Sequence, residues 1–494
     1  MLLMTSGGDE RILLDPTTRL NRYLTAPRPL EAIAYSSSTA NSMSFAAMSE
    51  VTRKIAQLAP GFTLSPEDYR AALDTLRVRL RASWQVPPST DIVFAASGTD
   101  LEYVGLAFAH RAGANGISNI VLGLDEIGSG CIHSASGLHF ARTTPLGYST
   151  APGSPLDPAM RCDISLVPVG IRNNKGQALD SEDMLLSIAA EAEAAIVANR
   201  HPLIHVVHGS KTGLVLPSIA HIDALRRRFG SKISFVVDAC QARISRQMVA
   251  AYLSRGCAVF LTGSKFIGGP PFSGFALLPD NAAERSAGLL AGFENVFSSA
   301  EWSAGWRGHE RLRHEPNLGL LLRLEASLYE LELFHGLSTA EIKRTLDLFD
   351  HAISSLTREL GASRVAHVSN THYATDAGQP LEMRTLVTID LGEIDTRYDF
   401  EFARRLYREL ACPQINTPVR DLCPIRLGQP VKCTRLADGR FGGNLRIGLS
   451  MPQMVEFAAM DTHSLERKLT SDMLTIASRI KRLFADQGNG GLAA

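Results

Sequence analysis

The sequence predicts an α/β protein, in which a large domain with a mostly parallel sheet flanked by helices precedes a smaller α+β domain. Three observations carry that reading. From residue 90 onward, short β-branched runs alternate with helix-like stretches, the pattern of βα units around a sheet covered on both faces. The 494 residues are enough for two or three domains, at about 150 residues each. The last third mixes helix and strand without that alternation.

Residues 1–40 read as an N-terminal arm, with Pro27 and Pro29 ahead of the polar stretch Tyr35-Ser36-Ser37-Ser38-Thr39. The large domain spans 41–315. In it TDIVFAAS reads as a buried strand, and Thr99 opens the helix-like DLEYVGLAFAHRAG. ISNIVLGL, LIHVVHGS, ISFVVDA and CAVFLTGS read as further strands, with IAHIDALRRRF and RQMVAAYLS as helices between them. LGLLLRLEASLYELELF is a helix within a connecting segment at 316–344. The small domain, 345–494, combines the helix TAEIKRTLDLFDHAISSLTREL with the strands MRTLVTIDL and NLRIGLS, and QGNGGLAA reads as a disordered tail.

Composition narrows the class. Fifty basic residues balance fifty acidic ones, for a net charge of +0, which argues against a nucleic-acid or anionic-membrane binder that needs a positive field. Hydrophobic residues at 45% and charged ones at 20% exclude a disordered chain. The start MLLMTSGGDERILLDP lacks the apolar core of a secretory signal. No run approaches the roughly 20 apolar residues of a membrane span. The cysteines (Cys131, Cys162, Cys240, Cys257, Cys412, Cys423 and Cys433) are odd in number and form no CxxC pair. Neither a metal site nor a disulfide framework is expected, and a reduced cytoplasmic setting is.

Chemistry concentrates where strands end, since parallel sheets place functional groups at their carboxyl edge. After the first strand comes Ser97-Gly98-Thr99-Asp100. Glycine allows a tight turn, and the helix start offers free N–H groups to an anion. An ordinary cap, Thr99 with Glu102 three residues on, fits the same letters. Asp238 directly follows ISFVV, where a carboxylate needs a partner, solvent or a cap role in the next loop. Lys265 in LTGSKFIGG follows another strand; it would hold a substrate or form a Schiff base, or sit on the surface as most lysines do. His208-Gly209-Ser210 ends LIHVVHG, and a simple turn also explains it.

Taken together, HGSKTGLVLPSIAHIDALRRRFGSKISFVVDACQARIS and FLTGSKFIGGPPFSG resemble fold-type I enzymes that use pyridoxal 5′-phosphate (PLP), in particular the class V aminotransferase and cysteine desulfurase group. The resemblance implies PLP as cofactor and an internal aldimine, a Schiff base, at Lys265, which then shuttles the proton at Cα. It implies Asp238 against the pyridine nitrogen, keeping protonated the ring that serves as electron sink. Gln241 would bond the phenolic oxygen. Thr262 and Ser264, with the backbone at Gly98 and Thr99, would hold the phosphate, and His208 would join the cofactor-binding set. Arg446 in GGNLRIGLS would pair with a substrate carboxylate through its two parallel donors; a surface ion pair on an edge strand is its other reading.

One departure stands out. The family places a ring over the cofactor in the loop after the next strand, and here that loop reads GLDEIGSGCIHSASG, with only His133 downstream. The 35–39 segment is a candidate for the substrate entrance, and Asn317 for a neighbouring subunit's phosphate.

The implied activity is an aminotransferase acting on an amino acid or related amine. The alternatives are a cysteine desulfurase-like or other Cβ lyase, and a decarboxylase or retro-aldol enzyme. An inactive PLP-fold regulatory subunit is the non-enzyme reading, which the intact Lys265, Asp238 and Gln241 oppose. A desulfurase needs a mobile thiolate; Cys433 lies a short way before Arg446, but PVKCTRLADG does not resemble the expected loop. The family forms homodimers, so a homodimer is expected. The N-terminal arm and the stretches 141–161, 362–382 and 412–441 are candidates for shaping the substrate pocket.

Overall fold

The computed structural model describes residues 2–488, except 37, 38, 40, 59, 60, 62, 125–129, 159–162, 174–177, 366–380 and 413–422. Two 3-10 turns, Leu2–Thr5 and Glu10–Ile12, open the arm, followed by β1 (Ile33–Tyr35), α1 (Phe45–Leu58) and α2 (Pro66–Trp84). The alternating region then supplies β2 (Asp91–Ala95), α3 (Leu101–Ala109), β3 (Gly116–Leu122), α4 (Cys131–Ala135), β4 (Asp163–Val169) and α5 (Ser181–Val197). It continues through β5 (His201–His208), β6 (Val215–Leu216), α6 (Ile219–Phe229), β7 (Ser234–Asp238), α7 (Arg246–Ser254), β8 (Ala258–Thr262), β9 (Gly274–Leu278) and α8 (Ala282–Arg285).

These strands form one sheet in the order β2-β9-β8-β7-β5-β3-β4, with β6 paired to β5. Neighbours from β8 to β4 run parallel, and β9 runs antiparallel to both β2 and β8. The predicted α/β class holds. Strands β3, β5, β8 and β9 are buried along their whole length; β9 and most of β8 are apolar without alternation, as burial on both faces demands, while β3 and β5 also bury Ser118, Asn119 and His205. The edge strand β4 escaped the sequence reading because Pro168 interrupts it. Proline costs little there, since an edge strand has no ladder partner on its outer side.

Beyond the sheet, α9 (Leu318–His335) and α10 (Thr339–Leu360) meet at Ser338, whose hydroxyl caps α10 while Glu341 reaches back to the Ser338 N–H. A second sheet joins β10 (Ser363–Arg364), β11 (Leu386–Asp390) and, after α11 (Phe400–Ala411) and β12 (Ile425–Leu427), β13 (Asn444–Gly448). β12 pairs in parallel with β1 of the arm. α12 (Met451–Ala458) and α13 (Thr462–Gly488) close the chain, α13 packing on α10. No helix among the described residues is long and apolar enough to cross a membrane.

Candidate active site

The carboxyl ends of β2, β5, β7 and β8 face one way, because β2 and β8 both run against β9. A cleft of about 250 Å³ opens at that edge. It is lined by Ser97, Gly98 and Thr99 after β2, by Asp238, Cys240 and Gln241 at β7, and by Thr262, Ser264 and Lys265 at β8. Arg446 of β13 and Gln429 enter from the second sheet's side, and Arg11 and Tyr23 from the arm. Residues distant in sequence are thus assembled by strand order.

In the turn after β2 it is the Ser97 side chain that makes the local bonds. Ser97 Oγ accepts the N–H groups of Thr99 (3.2 Å) and Asp100 (3.3 Å) and donates to Asp100 Oδ2 (2.5 Å). The N-cap of α3 is Asp100, without a side-chain cap bond, so a Thr99–Glu102 box does not form. Glu102 turns inward instead, its Oε2 3.5 Å from His205 Nε2, with both side chains buried. Gly98 is required by close approach: a Cβ there would lie 2.9 Å from Thr262 Cγ2 and 3.2 Å from Cys240 Sγ. Thr262 Oγ1 donates to the Cys240 carbonyl at 2.8 Å, tying β8 to the turn after β7.

Asp238 Oδ1 accepts the Cys240 N–H at 3.0 Å, and β7 places it beside Val207 of β5 and Phe260 of β8. Gln241 Oε1 accepts from Arg243 Nη1 at 3.1 Å. That fixes the amide so that its NH₂ remains to donate into the cleft. The backbone of Lys265 is held through its carbonyl, which accepts from Asn41 and from the Gly268 N–H (3.0 Å). Arg446 is 2% exposed and donates to the carbonyls of Gln429 (2.6 Å) and Lys211 (3.1 Å), which hold its guanidinium at the cleft.

Several expected residues lie elsewhere. His208 does not line the cleft; its ring is buried against Tyr252, Nδ1 lying 3.0 Å from the hydroxyl. Side chains alternate along a strand, so Val207 takes the cleft face and His208 the opposite one. Asn317 is engaged within its own chain: its Oδ1 caps α9 at the Leu320 N–H, and its Nδ2 holds the Gly7 carbonyl. His133 sits in α4 outside the cleft lining, and Cys131, at the start of that helix, reaches the cleft in its place. Cys433 is buried away from the cleft, its sulfur accepting from Asn444 Nδ2 at 3.4 Å. Of the 35–39 segment, Tyr35 bonds Asp472, Thr39 lines the cleft, and Ser37 and Ser38 lie outside the described residues. In the 141–161 loop the described residues do not reach the cleft. Much of 362–382 and 412–441 lies outside the described residues, although Gln429 lines the cleft.

Electrostatics favour an anionic ligand. Among the described residues, Arg11, Lys211, Lys265 and Arg446 line the cleft with one carboxylate, Asp238, and a low-dielectric recess concentrates such a field. Burial, helped by Asp9, pushes the Asp100 carboxyl up to about 7. Burial and the nearby Asp238 raise Glu102, and burial lowers His205 to about 4, so beneath Asp238 the acid and the imidazole both favour their neutral forms. Burial raises the Cys131 thiol to about 12 and lifts Cys240 well above the usual thiol value.

Comparison of the whole architecture with solved structures finds the same arrangement. Ureidoglycine–glyoxylate aminotransferase from Bacillus subtilis superposes with a TM-score of 0.52 at 13% identity, over 91% of this chain and 98% of that one. The cysteine desulfurase CsdA from Escherichia coli gives 0.53 at 14%, over 92% and 95%. C-DES, in a form with glycine covalently linked to its PLP cofactor, gives 0.53 at 14%, over 89% and 96%. The fold is fold type I. No protein-family profile matches the chain, and no curated protein matches it in sequence. In this fold-type I chain the sequence reading missed Arg11, Tyr23, Gln429 and Cys131 as cleft residues. The first three come from the arm and from the stretch before β13, where no local pattern marks a side chain that reaches a distant strand end.

Proposed function

We propose that the chain is a PLP-dependent enzyme acting on an amino acid or related amine, and that its reaction is transamination. The observation that supports this most is the convergence of Lys265, Asp238 and Gln241 with the Ser97–Thr99 turn in one cleft. The residues fit the cofactor: four cationic side chains line a recess that also holds Asp238 and Gln241, and Gly98 lets the turn after β2 close against Thr262 and Cys240.

When bound, PLP supplies the electron sink that stabilises negative charge at the substrate Cα. The chain's own residues divide the remaining work. Lys265 Nζ holds the cofactor and, once released, moves the proton at Cα. Asp238, fixed by the Cys240 N–H, holds a proton at the pyridine nitrogen. Gln241 presents its NH₂ to the phenolic oxygen, and Arg446, oriented by two carbonyls, orients a substrate carboxylate. Sulfur transfer is disfavoured, because Cys433 lies outside the cleft and the cleft thiols Cys131 and Cys240 are raised away from the thiolate form that attack requires. In this reading the enzyme is cytoplasmic and homodimeric.

The test is an absorbance spectrum of the protein with PLP, followed by amino donors added singly with product identification. Expected are a visible band that Lys265→Ala lacks and a keto acid formed from one donor. Alanine with sulfide, or carbon dioxide, would move the assignment to a lyase or decarboxylase. A wild-type protein without the band would remove the PLP reading altogether.

A further inference from the structure

Among the described residues, Arg11 is the cleft cation that comes from the N-terminal arm. Its Nε and Nη2 form a two-point bond with Asp9 (2.7 Å each), and the guanidinium lies over the rings of Phe140 (4.9 Å) and Phe272 (5.2 Å). Its remaining edge faces the turn after β2, with Nη1 3.3 Å from Thr99 Oγ1 and Nη2 3.4 Å from Ser97 Oγ. These contacts are long for hydrogen bonds, so that edge has donor capacity to spare. The side chain is only 13% exposed. A desolvated arginine fork clamped on three sides, with its open edge on the turn that begins α3, is suited to a planar or tetrahedral oxyanion.

The arm that carries it is built into the molecule. Arg323 of α9, fully buried, donates to the carbonyls of Met4, Ser6 and Gly7, and Asn317 adds a bond to Gly7. Met4 is buried with Met43, Val51 and Leu322. Gly7 and Gly319 let the arm and α9 touch, since a Cβ at Gly319 would lie 2.2 Å from the Ser6 carbonyl oxygen.

We infer that Arg11, delivered by the chain's own arm, is a ligand of the cofactor phosphate alongside the Ser97–Thr99 turn. The inference rests on the PLP reading above and adds to it. Arg446 serves the opposite requirement: it lies on β13, held by the Gln429 and Lys211 carbonyls and remote in sequence from the phosphate turn. In this reading the two arginines divide the cleft between a phosphate and a carboxylate.

The experiment measures the affinity of full-length protein for PLP and, separately, for pyridoxal, which lacks the phosphate. Because Arg11→Gln alone strands the buried Asp9, the double variant Asp9→Asn/Arg11→Gln is measured with it, and thermal unfolding checks the fold. Loss of a charge-assisted bond should weaken PLP binding by about tenfold or more in both variants, with pyridoxal affinity unchanged. Variants that bind PLP like the wild type overturn the inference while leaving the PLP reading intact, as would a rise only in the KM of the amino donor. Equal losses for PLP and pyridoxal also overturn it, because Arg11 would then act through the arm's packing. If the wild type binds no PLP, both readings fall together.

Discussion

Replacing Arg323 with methionine should free the start of the arm while the rest of the protein stays folded. Arg323 Nε donates to Phe272 O at 2.6 Å, Nη1 to Met4 O (2.9 Å) and Ser6 O (2.6 Å), and Nη2 to Gly7 O (2.7 Å). Methionine preserves most of the aliphatic bulk and donates nothing. A hydrogen bond from a charged donor contributes about 1.5–3 kcal/mol net. Three of these bonds hold the arm, so its attachment loses several kcal/mol, offset in part because the buried guanidinium no longer has to be desolvated. What remains on residues 2–8 is the burial of Met4, about 2 kcal/mol by area, and the Asn317 bond to Gly7 at 3.2 Å, while Arg11 and Ile12 keep their own contacts. Local release lets water satisfy the stranded carbonyls, whereas a closed arm would leave them unpaired. Hydrogen exchange followed by mass spectrometry should show protection in peptides covering residues 2–8 falling about 100-fold or more, at about 1.4 kcal/mol per tenfold. Peptides of α9 should keep theirs. Unchanged exchange in the arm would refute the anchoring argument, and equal loss in α9 would refute its locality.

Two further outcomes follow from the same geometry. Burial raises the Glu301 carboxyl from its ordinary 4.5 to about 8, against the opposing bonds from the Ser298 N–H (3.0 Å) and the Tyr69 hydroxyl (3.1 Å). The native state therefore holds a proton that the unfolded chain releases. Wild-type stability should fall relative to Glu301→Gln as pH rises from 4.5 towards 8, by roughly 1.4 kcal/mol per unit, and level off above it. Urea unfolding of both proteins at pH 5 and pH 9 checks this, and a stability difference that stays constant would contradict the assigned burial cost. Cys433→Ala should keep full activity with a stability loss of about 1 kcal/mol, the scale of one small buried group; a folded but inactive variant would restore the sulfur-transfer reading.

The sheet was legible because β3, β5, β7 and β8 are short β-branched runs separated by amphipathic helices, and burial on both faces demands that composition. The residues ending those runs were legible for the same reason: Asp238, Thr262, Ser264 and Lys265 are marked by adjacency to a strand, and strand order brings them to one edge. His208 was misplaced because adjacency alone does not say which face a side chain takes. β4 was missed because an edge position tolerates a proline that a central strand would not. By itself the sequence determined the α/β class and the group of residues at the strand ends, since both depend on local periodicity. Only the tertiary structure decided that Ser97, rather than a Thr99–Glu102 box, makes the local bonds ahead of α3, that Glu102 turns in towards His205, and that Arg11 crosses from the arm to the Ser97–Thr99 turn. Those contacts join segments far apart in the chain, or faces that local spacing does not distinguish, and they are selected by the packing of α9, the arm and the sheet around one cleft.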